Sequence, residues 1–131
     1  MKKVLILDDN PLNNKKYIEK VELNYHVDTV LRLVSAKRLI QSRDYDFVVI
    51  DVMMPTEKYD IDDETTTGFV FYQKEVEGKL KNEHAQIVFW SRLEKDGFDE
   101  FWGDNPPNNT HFLHKTQDEN HLLYYIKDID K

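Results

Sequence analysis

Three short apolar runs constrain this chain more than any other feature: VLIL at residues 4–7, FVVI at 47–50 and IVFW at 87–90. Each is too short for a stable helix, and none alternates apolar with polar residues. Unbroken runs of this kind belong to strands buried on both faces, as in a parallel sheet covered by helices. Residues 27–33 and 110–114 read as weaker, more polar strands, which suits the edges of a sheet.

Helical periodicity fills the intervals. Pro11 after Asn10 predicts a helix start, because proline suits a first turn, and that helix is expected to reach about Asn24. Ser35 is a candidate cap for a short second helix carrying Leu39 and Ile40. A third is expected from about Thr67 to Asn82, with Phe69, Tyr72, Val76 and Leu80 at three- and four-residue steps. Gly97, Gly103, Pro106 and Pro107 confine a fourth, carrying Phe98, Phe101 and Trp102, to about two turns. The last is expected over 117–129, with Leu122, Leu123, Tyr125, Ile126 and Ile129 buried. Strands alternating with helices make an α/β sheet wound on both faces by right-handed crossovers.

In such sheets ligands bind at the carboxyl ends of the strands. Asp8 and Asp9 follow the first run, Asp51 the second, Ser91 the third, and Lys115 the last weak strand. If the first two runs are adjacent and parallel, three carboxylates meet at one edge. Two unit charges about 4 Å apart repel by ~4 kcal/mol at an effective dielectric of 20. Such a cluster takes up protons or binds a cation, and a hard divalent ion such as Mg²⁺ suits carboxylates, water and phosphate oxygens.

Composition narrows the class. At 131 residues the chain is expected to form one domain, residues 1–131. A net charge of −7 argues against a nucleic-acid partner. With no cysteine there are no disulfides or thiolate metal sites, and no stretch approaches a membrane span or a signal peptide, so a cytoplasmic protein is expected.

With LDDN at 7–10, DVMMP at 51–55, the serine that ends IVFWS at 87–91 and FLHK at 112–115, the chain resembles the receiver domains of two-component response regulators over nearly its whole length. The resemblance implies a flavodoxin-like five-stranded parallel sheet of order 2-1-3-4-5 with helices on both faces. It implies that Asp51 accepts a phosphoryl group from a histidine kinase or histidine phosphotransfer protein, and that Asp8, Asp9, Asp51 and the Met53 backbone carbonyl hold Mg²⁺ (or Mn²⁺). Lys115 would contact the phosphoryl oxygens, Ser91 would hydrogen-bond one of them, and Phe112 would change rotamer with Ser91. The downstream protein and the oligomeric state are left open. No output domain follows, so the signal is expected to pass through protein contacts unless the receiver comes from a longer chain.

Three departures from the family pattern stand out. Arg92 follows Ser91 where a small residue is usual, and its guanidinium is expected to cover the site or clamp the phosphoryl group. Thr116 follows Lys115 where a cis-bonded proline is usual; a non-proline cis bond costs roughly 2.5–4 kcal/mol, so a trans bond and a differently set lysine loop are expected. An acidic insertion lies at about 56–66, where residues 56–64 hold five acids and one lysine, a net −4 of the chain's −7. Asp60, Asp62 and Glu64 alternate there, but Thr65 and Phe71 break the calcium-loop pattern.

Two rival readings remain: a receiver-like interaction module that does not cycle phosphate, and a small Mg²⁺-dependent phosphohydrolase. The second normally carries an acid two residues after its nucleophile, where this chain has Met53. His111 and His114 are expected on opposite sides of a strand, so they cannot easily share one ion, and His26, His84 and His121 are scattered; none receives a role.

Overall fold

The structure, a computed structural model, describes residues 1–52 and 67–131. The Met53 carbonyl, the acidic insertion and the Asp60–Glu64 pattern lie outside the described residues. Five strands, β1 (Lys3–Leu7), β2 (His26–Val30), β3 (Phe47–Asp51), β4 (Gln86–Ser91) and β5 (Thr110–His114), form one parallel sheet in the order β2-β1-β3-β4-β5. The three unbroken apolar runs occupy its three central positions and are buried throughout, while β2 and β5 are half-exposed edges.

Five helices cover the two faces: α1 (Lys15–Glu22), α2 (Leu33–Ser42), α3 (Thr67–Phe71), α4 (Asp96–Trp102) and α5 (His121–Ile129). Strand side chains alternate between faces, and the core divides accordingly. Leu5, Leu7, Val48, Ile50, Ile87 and Phe89 pack under α2, α3 and α4. Val4, Ile6, Phe47, Val49, Val88 and Trp90 pack under α1 and α5. Phe98 is buried in the first of these layers and stacks among Phe69, Phe89 and Phe112, with Phe101 and Trp102 packed at its edge. The pattern of apolar steps expected for α4 is thus used for packing.

Helix boundaries differ from expectation in physically specific ways. Helix α1 starts at Lys15, not beside Pro11, because residues 10–15 form successive tight turns and Asp8 draws in both the Asn10 amide and the Asn14 side chain. Ser35 lies inside α2, which begins at Leu33, a side chain buried in the core. Helix α3 gives way to a π-helical turn over Tyr72–Val76, where the Glu77 amide donates to the Tyr72 carbonyl at 2.9 Å. Gly78, at a φ of 75°, then ends the helical path, so Leu80 reaches the core from outside a helix. Helix α5 starts at His121 because Asp118 closes a preceding turn, accepting from the Asn120 amide and the His121 amide.

Candidate functional site

Parallel pairing carries the carboxyl ends of β1, β3, β4 and β5 to one edge of the sheet. Alternation then sorts their side chains. Asp8, Asp51, Trp90 and Lys115 each fall an even number of residues from a side chain of the α1/α5 layer. Ser91 and Phe112 fall on the α3/α4 side.

Asp8 is fully buried and its carboxylate is satisfied locally. One oxygen accepts from the Asn10 amide at 3.0 Å and the other from Asn14 Nδ2 at 2.7 Å. Asn14 is itself buried, at the entry to α1. Asp9 is exposed beside it. Asp51 ends β3, where only 6% of the residue is exposed. One carboxylate oxygen from each of Asp8, Asp9 and Asp51 lies within 4.8 Å of the other two.

Lys115 enters from β5. Its amide donates to the Ser91 carbonyl at 2.7 Å, and its Nζ stands 3.5 Å from Asp51 Oδ2. Both side chains of that ion pair are about nine-tenths buried. The Lys115–Thr116 bond is trans, as expected for a non-proline residue, and the lysine still reaches Asp51. Arg92 is exposed and lines the cavity of about 220 Å³ that holds the three acids, Lys115, Asn10, Asn13 and Asn14. It also lines a neighbouring cavity of about 330 Å³ with Tyr17, Lys115 and Thr116.

Ser91 is buried, and its Oγ accepts from the Leu93 amide at 3.0 Å, which leaves its O–H available as a donor. Phe112 does not line the cavity. It lies two residues before His114, the register partner of Ser91, and packs 5.9 Å from the ring of Phe98.

The charge balance of this edge is unequal. Among the described residues three carboxylates and one ammonium line the cavity, an excess of two formal negative charges, with Arg92 at the rim. At the 4.8 Å limit each carboxylate pair repels by about 3.5 kcal/mol at an effective dielectric of 20. All-oxygen donors with that excess fit a hard dication better than a soft transition metal.

Sequence reasoning missed four residues that build the site. Asn14 orients Asp8. Gly68 brings α3 against the end of β3, its amide donating to the Val52 carbonyl at 2.9 Å. Trp90 lies under Lys115, whose Nζ stands 4.5 Å from the indole ring. His121 accepts a hydrogen bond from Trp90 Nε1 at 2.9 Å. Since the indole nitrogen only donates, His121 Nε2 carries no proton, and its Nδ1–H donates to the Asp118 carbonyl at 2.7 Å. Burial holds the His121 pKa below the ordinary histidine value, against the opposing pull of Asp118.

Solved structures of response regulators are similar to this chain over nearly its whole length. TrrA of Thermotoga maritima, solved in complex with Mg²⁺–BeF, is 21% identical with a TM-score of 0.72, over 98% of this chain and 99% of that one. The fold is that of a receiver domain. A receiver domain from Methylobacillus flagellatus is 20% identical with a TM-score of 0.70, over 98% of each chain. The chemotaxis protein CheY4 of Vibrio cholerae is 21% identical with a TM-score of 0.67, also over 98% of each chain. No protein-family model matches the sequence, and no curated protein sequence matches it. The receiver likeness is therefore one of fold, and the strand ends of this receiver fold carry the five polar residues singled out in the sequence. Among the described residues no helix is long and apolar enough to cross a membrane.

Proposed function

We propose that this chain is a phosphoacceptor of two-component signalling, in which Asp51 takes a phosphoryl group from a histidine kinase or histidine phosphotransfer protein. The observation that carries the reading is the ion pair of Lys115 Nζ with Asp51 Oδ2 at 3.5 Å, inside a cavity that Asp8 and Asp9 also line. A lone carboxylate at a strand end would be unremarkable; one between a buried lysine and two further acids that can hold a cation supports a phosphoryl site.

In the transfer, an Asp51 carboxylate oxygen bonds to phosphorus as the P–N bond of the phosphohistidine breaks, and the imidazole nitrogen keeps the electron pair. The product is an acyl phosphate. Lys115 neutralises charge on the phosphoryl oxygens, and the Ser91 hydroxyl donates to one of them. Asp8, Asp9, Asp51 and the Met53 carbonyl would hold Mg²⁺, or Mn²⁺ in its place, which when bound supplies charge neutralisation at the phosphoryl group. Asn14 keeps Asp8 oriented. The domain assists only its own phosphorylation and dephosphorylation, in the cytoplasm. Its output is a shift of the loops after β3, β4 and β5, read by a downstream protein. Phe112, packed on Phe98 of α4, would follow Ser91 in that shift.

The test is incubation with acetyl phosphate and Mg²⁺, followed by intact mass. A gain of one phosphoryl group, absent in Asp51→Ala and with a chelator, supports the reading. No adduct from acetyl phosphate or from a histidine kinase sinks it and favours the interaction module, for which Arg92 at the cavity rim is the specific argument. Turnover of unrelated phosphate esters would instead favour the phosphohydrolase.

A further inference from the structure

Lysine is a poor choice for aiming a charge unless something holds it, because its stem has four rotatable carbons and about 2 kcal/mol of rotamer entropy. In this chain the residue after Lys115 is threonine, so the loop lacks the rigidity of a proline ring. Yet the side chain is about nine-tenths buried and its ammonium stands 3.5 Å from Asp51 Oδ2.

The surroundings supply the missing restraint. Asp51 and Trp90 are register partners on neighbouring parallel strands, so their side chains stand side by side on the α1/α5 face. Lys115 lies across the indole, with Nζ 4.5 Å from the ring. The indole itself cannot turn without cost. It is fully buried, its N–H is tied to His121 at 2.9 Å, and Tyr17 meets it edge-on at 5.7 Å. Tyr17 also packs edge-on against His121 at 4.8 Å, and its hydroxyl donates to the Thr116 carbonyl at 2.8 Å. One aromatic group thus clamps both ends of the problem: the indole holds the ammonium, and the tyrosine holds the backbone just beyond it.

We infer that Trp90, braced by His121 and Tyr17, is a positioning residue that aims the Lys115 ammonium at the phosphoryl group on Asp51. The inference rests on the phosphoacceptor reading for its purpose, but the contact itself is measurable without any phosphoryl transfer. A buried cation held over an indole gains attraction that an aliphatic side chain cannot supply. Trp90→Leu therefore slows phosphorylation by acetyl phosphate by about five- to thirty-fold. Mg²⁺ affinity, measured by calorimetry, stays within about two-fold, because Trp90 contributes no metal ligand. Trp90→Phe keeps a ring face under the ammonium and recovers most of the rate, though it gives up the bond to His121. A side chain that merely fills space would not distinguish phenylalanine from leucine in this way.

The second measurement is the NMR shift of the Lys115 ε-methylene, which the indole ring current moves upfield in the unphosphorylated wild type. An upfield shift that persists in Trp90→Phe and disappears in Trp90→Leu supports the inference. An ordinary lysine shift in the wild type overturns it, whether or not Asp51 is phosphorylated and whether or not Trp90→Leu folds. A wild type that takes up phosphoryl groups while Trp90→Leu does so equally fast overturns it too, and leaves the phosphoacceptor reading standing. A wild type with the shift but with no phosphorylation would support the contact and sink that reading instead.

Discussion

Gly68 and Gly97 both lie in helices, and exchanging each for alanine is predicted to move stability in opposite directions. At Gly97 a Cβ would meet nothing within 4 Å, so only helix propensity acts. Alanine is better than glycine there by about 0.5–1 kcal/mol. At Gly68 the same propensity gain competes with a clash. A Cβ would sit 2.7 Å from Val52 Cα, 3.0 Å from the Asp51 carbonyl oxygen and 3.1 Å from Ile50 Cγ2. Carbon atoms pack at about 3.5–4.0 Å, so α3 or the end of β3 must shift by close to 1 Å. Two of the three neighbours are backbone, and that backbone is tied to Trp90 through the Val52 amide at 3.3 Å. Overpacking of this kind costs roughly 1–3 kcal/mol, which exceeds the propensity gain and leaves a net loss of about 1–2 kcal/mol. For a domain of this size each kcal/mol is worth about 3–5 °C in Tm. Gly68→Ala should therefore melt about 3–10 °C lower, and Gly97→Ala about 2–5 °C higher. Because the displaced carbonyl belongs to Asp51, Gly68→Ala should also slow phosphorylation by up to about 100-fold, the loss that an ångström-scale misplacement can cause. Thermal melts followed by circular dichroism and acetyl phosphate kinetics read both effects. Two melting shifts of the same sign would refute the packing argument.

Two further outcomes follow from the site and its surroundings. Arg92→Ala should change the rates of phosphorylation by acetyl phosphate and of acyl phosphate hydrolysis by about three-fold or more, because it opens the rim of the Asp51 cavity and removes its guanidinium; unchanged rates in a time course of intact mass would remove Arg92 from the mechanism. Burial holds both His111 and His121 below the ordinary value of 6.5, so the unfolded chain takes up protons before the folded one as the medium is acidified. Their contribution to stability is complete above about pH 6.5 and is lost as pH falls through the depressed folded values. Urea midpoints measured from pH 7.5 down to 5.5 should fall, and the double substitution His111→Gln, His121→Gln should flatten that fall; a slope that survives it would assign the effect to other groups.

The strands were legible because burial on both faces leaves a plain mark. VLIL, FVVI and IVFW could not be amphipathic helices or half-exposed strands, and each is a central strand in the structure. Helix ends were less legible because local hydrogen bonds compete there with the helix itself. Pro11 suits a first turn, but Asp8 takes the Asn10 amide and the Asn14 side chain, and the chain turns through residues 10–15 before α1 begins. Nothing in the apolar periodicity of 67–82 marks where a helix stops, whereas Gly78, at positive φ, does.

The site divides along the same line. Residues that announce themselves by chemistry at a strand end, Asp8, Asp9, Asp51, Ser91 and Lys115, were legible from composition and position. Residues that act by holding those groups were not, because they carry no chemical mark of their own. Trp90 ends an apolar run and reads as core, and it is core; what gives it a second role is its register partnership with Asp51 and the lysine laid across it. Alternation from Val88 would have put Trp90 on the face shared by Asp51, but only with the pairing of β3 and β4 in hand. His121 illustrates the same limit from the opposite direction. As one of three scattered histidines it carries no mark of a role, yet its unprotonated Nε2 is the hydrogen-bond acceptor of a fully buried indole. A buried polar hydrogen without an acceptor costs about 1–3 kcal/mol, so a tryptophan in this position requires a neutral histidine, or a similar acceptor, opposite it. That pairing is long-range, across 31 residues. It becomes visible only when the strand that carries one partner and the helix that carries the other have been packed together.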